Sequence, residues 1–146
     1  MNNDKQIIEI YTDGACSNNQ NREVSVGGWA YRLFYMGHEK IGKGQVKNTT
    51  NIRMEMTAVI EALKAVKKNN ISVYIHTDSQ LVVDTIQKGW KRNKNIDLWN
   101  ELDTQLARFK DVLFVKVKGH GNDVINNLVD RLAVEMTKIW LKKNWH

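Results

Sequence analysis

The chain has no proline, a single cysteine, Cys16, and no apolar run long enough for a signal sequence or a membrane span. One thiol excludes an intramolecular disulfide, and without a visible leader or anchor the chain reads as soluble and cytoplasmic. The missing proline points to no particular fold or function. Internal repeats, linkers and low-complexity segments are also lacking, so the 146 residues are expected to form one domain, 1–146, large enough to bury a core without staples. Acidic charge is in the minority: 22 Lys and Arg against 16 Asp and Glu leave a net charge of +6 and a pI near 9.4. That balance favours a polyanionic partner without identifying one, and a basic protein with no such partner is the plain alternative.

What is present is organised around the stretch from Ile71 to Gln80. Ile71, Val73 and Ile75 alternate with polar residues, and the run ends in Thr77-Asp78-Ser79-Gln80. The pattern predicts a buried strand that delivers Asp78 to the rim of a sheet. An acid in that place is as a rule an N-cap for the next helix. Residues 7–14 repeat the arrangement, since a strand there also ends in Thr12-Asp13-Gly14. Two such strands side by side bring Asp13 and Asp78 together.

The remaining elements are set by periodicity and breakers. A strand over 7–12 precedes a polar loop over 16–23, and an aromatic strand from Trp29 leads to a hairpin turn at 36–39. The returning strand, 40–46, is weakened by Gly42 and Gly44. A helix over about 53–68 carries Val59, Ala62, Leu63 and Val66 on one stripe, and one turn back that stripe lands on Glu55. A core-facing acid is paired or metal-bound, or else it is a first-turn glutamate favoured by the helix dipole. A helix over 79–88, a basic connection over 88–94, a helix over 97–109 and a strand over 112–117 come next. A loop over 118–123 then leads to a helix over 124–142, with Asp130 on the flank of its apolar stripe. The crossover before the last strand contains helices, which predicts that it runs parallel to the central one. The order is βββαβααβα. It describes an α/β fold with a five-stranded mixed sheet, three antiparallel strands then two parallel, and helices on both faces.

Four motifs now stand in order: Thr12-Asp13-Gly14, Arg53-Met54-Glu55, Thr77-Asp78-Ser79-Gln80, and Lys118-Gly-His120 followed by Asp130. Together they resemble the type 1 ribonuclease H family over nearly the whole chain. The resemblance implies hydrolysis of the RNA strand of RNA/DNA hybrids, leaving 5′-phosphate and 3′-hydroxyl ends. It implies that Asp13, Glu55, Asp78 and Asp130 bind metal and that His120 is an accessory acid/base. Four converging carboxylates repel one another unless cations neutralise them, and oxygen-only ligands suit Mg²⁺ or Mn²⁺. Two ions roughly 3.5 to 4 Å apart would clamp a phosphodiester. By the same resemblance Cys16, Asn18, Asn51 and Gln80 meet the RNA strand, Thr50 and Asn95 hold a DNA phosphate, and Trp90 floors a DNA sugar. Such contacts read no base identity, so cleavage is expected to be largely sequence-independent.

The sequence departs from the family pattern in three places. The loop from Ser17 to Val26 lacks the compact Gly- and Pro-rich turn, which weakens the carry-over to Asn18. The short spacing from Asp78 through Trp90 to Trp99 leaves no room for a long basic handle, although Lys88, Lys91, Arg92 and Lys94 keep some charge there. Asn127 stands where a glutamate is frequent, which touches metal preference. No hybrid-binding module is expected before the first strand, and a monomer is expected. The rivals are a silent hybrid-binding module and another nuclease or polynucleotidyl transferase of the same fold. A phosphatase with an Asp13 nucleophile would want an acid where Ala15 stands.

Overall fold

The computed structural model describes residues 7–17, 25–116 and 124–143, with side chains in the last helix over 125–138. Its elements are β1 (Ile7–Ser17), β2 (Val26–Tyr35), β3 (His38–Lys47), α1 (Asn51–Ala65), β4 (Ser72–Thr77), α2 (Gln80–Lys88), α3 (Ile96–Leu106), β5 (Asp111–Lys116) and α4 (Val124–Lys143). The strands lie in the order β3-β2-β1-β4-β5. Pairing is antiparallel through β3, β2 and β1 and parallel through β1, β4 and β5. This is the mixed sheet expected from the sequence.

Period-two alternation sorts β1 between two layers. Ile8 and Ile10 join the larger core with Val59, Leu63 and Ile75 beneath α1 and α3. Tyr11 and Ala15 turn the other way, against Val129 and Ala133 of α4. Helices therefore cover both faces. The α1 stripe foreseen at Val59, Ala62, Leu63 and Val66 is buried throughout, and each large apolar side chain so placed contributes about 1.5–3 kcal/mol. Among the described residues no helix is long and apolar enough to cross a membrane.

Several boundaries differ from expectation for local reasons. β1 does not give way to a loop at Cys16: Cys16 and Ser17 pair with Gly27 and Val26, and the Ser17 hydroxyl accepts from Val26 N and donates to Val26 O. α1 begins at Asn51, not near 53, because the Thr50 hydroxyl accepts from Arg53 N–H at 3.3 Å and caps it. It stops at Ala65, where Arg108 of the α3–β5 connection donates to the carbonyls of Leu63 and Val66. The lysines at 67 and 68 are exposed and extend no apolar stripe.

The glycines of β3 are supports, not weak points. Gly42 and Gly44 face Tyr31 and Trp29 across the strand pair, and a Cβ at either would overlap the ring opposite it. The two rings stack on each other with centroids 6.2 Å apart. Aromatic area takes the place of the missing side chains.

Candidate active site

The site forms where β1 and β4 part. Their parallel pairing runs from Ile7 and Ser72 to Tyr11 and His76. Each strand carries its acid two residues further on, Asp13 and Asp78, so both project at the carboxyl end of the sheet, where α/β folds place their ligands. α1 closes against this end. A side chain on Gly14 would overlap the backbone at Met54 and Glu55, so only glycine lets the helix approach close enough to bring Glu55 in.

One oxygen from each of Asp13, Glu55 and Asp78 lies within 4.8 Å of the other two. The N-cap alternative for Asp78 is excluded, because α2 is capped by Ser79, whose hydroxyl accepts from Val82 N–H at 3.3 Å. Asp78 Oδ1 is left buried with no donor among the described residues. Asp13 is 3% exposed. Its Oδ1 accepts from Gly14 N–H at 2.8 Å, while its Oδ2 is buried and meets no N–H or hydroxyl donor among the described residues. Asp130 meets Asp13 from α4, and two carboxyl groups in contact can only share a proton.

The charges follow from this crowding. Burial, first, pushes the Asp13 carboxyl up to about 10, and the Asp130 hydrogen bond and the charges of Asp78 and Asp130 add to it against the Gly14 N–H. Burial and the Asp78 charge push Glu55 up to about 7, against a hydrogen bond from Ser79 and the charge of Lys116. Acids held this far above their usual range lack a counter-charge. The donor set is all oxygen, Asp13 and Asp78 each keep a buried oxygen without an N–H or hydroxyl donor among the described residues, and a hard divalent cation would satisfy such oxygens. Asp130 reaches the cluster through Asp13 and is not a member of the 4.8 Å group among the described residues.

Of the remaining expected residues, Thr50, Asn51 and Asn95 line one open cleft of about 760 Å³ with Glu55, Arg53 and Lys94. Cys16, Gln80 and Trp90 do not line it. The Cys16 thiol donates to Thr49 O at 3.6 Å, and burial raises its pKa, against a hydrogen bond with Ser25. The Gln80 amide donates to Asp84 at 2.8 Å. Trp90 is 46% exposed, with the Lys88 ammonium over its ring. His120 and Asn18 lie outside the described residues. Sequence reasoning missed Ser79 and Lys116 as neighbours of Glu55. The register of Lys116 with Thr77 becomes visible only once β4 and β5 are paired.

The sequence model of the RNase H family matches residues 4–138. This chain belongs to the ribonuclease H family. A ribonuclease H of Caldanaerobacter subterraneus subsp. tengcongensis is 41% identical over 99% of this chain and 99% of its own. A crystal structure of a type 1 ribonuclease H with the type 2 active-site motif superposes with a TM-score of 0.78 at 27% identity, over 91% of this chain and 72% of the other. A ribonuclease H1 crystallised with an RNA/DNA hybrid shares the fold, with a TM-score of 0.76 at 22% identity over 92% and 99% of the two chains. As a ribonuclease H the chain is a nucleic-acid-binding hydrolase. Members of the family generally use divalent metal ions, and the group of Asp13, Glu55 and Asp78 is able to bind one.

Proposed function

We propose that this ribonuclease H is an endonuclease that hydrolyses the RNA strand of RNA/DNA hybrids, largely without regard to sequence, acting as a cytoplasmic monomer. The observation that carries the reading is the cluster of Asp13, Glu55 and Asp78, with one oxygen of each within 4.8 Å of the others and with Asp13 Oδ2 and Asp78 Oδ1 buried without an N–H or hydroxyl donor among the described residues. One chain supplies every acid, which supports a monomer. The hybrid held by the structural neighbour supports the substrate.

Asp13, Glu55, Asp78 and Asp130 are the residues that would hold two Mg²⁺ ions, with Mn²⁺ able to substitute, and such ions when bound supply activation of water and stabilisation of a leaving oxygen. The chain's own part is to hold Asp13, Glu55 and Asp78 at one point, with Asp130 set against Asp13. Water attacks phosphorus and the bond to O3′ breaks, which leaves 5′-phosphate and 3′-hydroxyl ends. His120 acts as an accessory acid/base for the leaving group. Cys16, Asn18, Asn51 and Gln80 meet ribose hydroxyls, the feature that tells RNA from DNA. Thr50, Asn95 and Trp90 take the DNA strand.

The test is cleavage of one end-labelled sequence as RNA/DNA hybrid, duplex RNA, duplex DNA and single-stranded RNA, with Mg²⁺, Mn²⁺ or chelator. Cutting is expected only in the RNA of the hybrid and only with metal. Tight hybrid binding without cutting would identify a silent binding module, and cutting of duplex DNA would move the chain to another activity of the fold. His120→Ala should keep measurable cleavage where Asp78→Asn keeps none, and equal inactivation of both would contradict this division of roles.

A further inference from the structure

We propose that Arg53 is a positioning residue whose guanidinium sets the hydrogen-bond polarity of Asn95, so that the Asn95 amide presents donors, beside the Thr50 hydroxyl, to one phosphodiester of the DNA strand. The inference rests on the proposed hybrid activity and adds the device that readies its phosphate pocket.

Residue 53 holds both walls of that pocket. Its backbone N–H donates to Thr50 Oγ1 at 3.3 Å, which fills an acceptor position on the hydroxyl and leaves its proton for another partner. Its guanidinium donates to Asn95 Oδ1 at 3.1 Å. Arginine has no acceptor, so the amide atom facing it must be the oxygen, and the NH₂ group with its two donors faces away. Asn95 stands at the N-cap of α3 with φ 58° and makes no side-chain cap bond. The side chain that would ordinarily serve the helix start is given to Arg53 instead.

The guanidinium is itself immobilised. It forks onto Asp97 with bonds of 3.0 and 2.7 Å, the two-point geometry that only arginine offers a carboxylate. That pairing neutralises Arg53, so the cation on the cleft wall is Lys94, which lines it with Thr50 and Asn95. Neutral donors beside one cation suit the non-bridging oxygens of a phosphodiester. The carboxylates that line the same cleft are engaged elsewhere, Asp97 by the Arg53 fork and Glu55 in the acid cluster. A base edge or a sugar hydroxyl, which also calls for acceptors, therefore fits less well. Glu55 lines the same cleft, so α1 carries both the pocket's positioning residue and a cluster acid, and a seated phosphate fixes the duplex relative to the acids.

The experiment is a methylphosphonate scan, in which each DNA-strand phosphate of a short hybrid is made neutral in turn. KM and kcat are measured for the parent, Arg53→Met, Arg53→Lys and Asn95→Ala. In the parent, one position is expected to raise KM about tenfold when neutralised, the size of a hydrogen bond to a charged group, with kcat within about twofold. Arg53→Met and Arg53→Lys should raise KM on the unmodified hybrid by about threefold, because a lysine reaches one partner at a time, and neutralisation at that position should then add only about threefold, Thr50 and Lys94 still facing the phosphate. Asn95→Ala should behave likewise. If the Arg53 variants lose KM but still feel the full effect of neutralisation, Arg53 serves only the fold and the proposal is overturned; an unchanged KM overturns it too. A parent that cuts hybrids yet has no sensitive position removes the pocket itself, whereas a parent that cuts no hybrid removes the underlying functional reading.

Discussion

Opposite ends of the same sheet treat charge in opposite ways. At the end where β4 begins, Arg108 spends its donors inside the chain. Its guanidinium caps α1 at Leu63 O and Val66 O and also bonds Asn69 Oδ1 and Gln105 Oε1. At the end where β4 finishes, Asp13 and Asp78 each keep a buried oxygen with no donor. Both arrangements hold their groups firmly. The difference is that the first is complete in the folded chain, while the second leaves oxygens unpaired among the described residues, in a group able to hold a divalent cation. Buried polar groups without partners cost stability, so where they persist together they mark the place where stability is given up to function.

The sharpest way to break this contrast is Asp13→Asn. Hybrid cleavage should fall by at least about 1000-fold, as when a group acting in the transition state is removed. Folding without metal forces a proton onto Asp13, raised to about 10 chiefly by burial, and the same change removes that cost, so the chelated protein should melt higher than the parent. A lower melting point would mean that the acid end is not strained.

The next effect is on pH. Glu55 titrates near 7 when folded, above its ordinary 4.5, so between those values the native state binds more protons than the unfolded one. The sign is therefore a loss of stability as pH rises from about 4.5 to 7, on the order of 3 kcal/mol from this group when metal is absent. Asp13, raised to about 10, extends the same trend to higher pH. Urea titrations in chelator should show the decline and Mg²⁺ should abolish most of it. A flat profile in chelator would contradict the assigned burial.

At the satisfied end, Arg108→Met should destabilise by about 2–3 kcal/mol, because carbonyls of α1 lose their donors, with kcat unchanged. Equal loss of activity would join the two ends functionally. The smallest effect expected is from Glu61→Ala, which removes an exposed pair with Lys64 at 3.3 Å and should stay within about 0.5 kcal/mol in the same titration.

Much of this was legible in the sequence. The strand-ending Thr-Asp pairs predicted that Asp13 and Asp78 meet at one end of adjacent strands, and the helical stripe pointed at Glu55, because side-chain periodicity survives folding unchanged. The cap of α2 was ambiguous, since Asp78 and Ser79 are both good N-caps and only the backbone path decides between them. The Arg53 fork was not legible at all. It joins residues more than forty positions apart through side-chain directions that no local pattern encodes. The seats beneath Trp29 and Tyr31 were hidden for the same reason: a glycine in a strand reads as weakness until its neighbour across the pair is known.

Those glycines also bear on how the chain keeps apart from its own copies. β3 is an outer strand, with one row of backbone groups unpaired by the sheet, and such a row is a template on which another molecule's strand can add. Gly44 and Gly42 leave no side chains on the face where Trp29 and Tyr31 lie, which interrupts the regular pleat of the strand, and Lys40, Lys43 and Lys47 set positive charge along it. An incoming copy would meet like charge and an uneven face, so the edge discourages sheet-to-sheet growth while β2 keeps its full ladder.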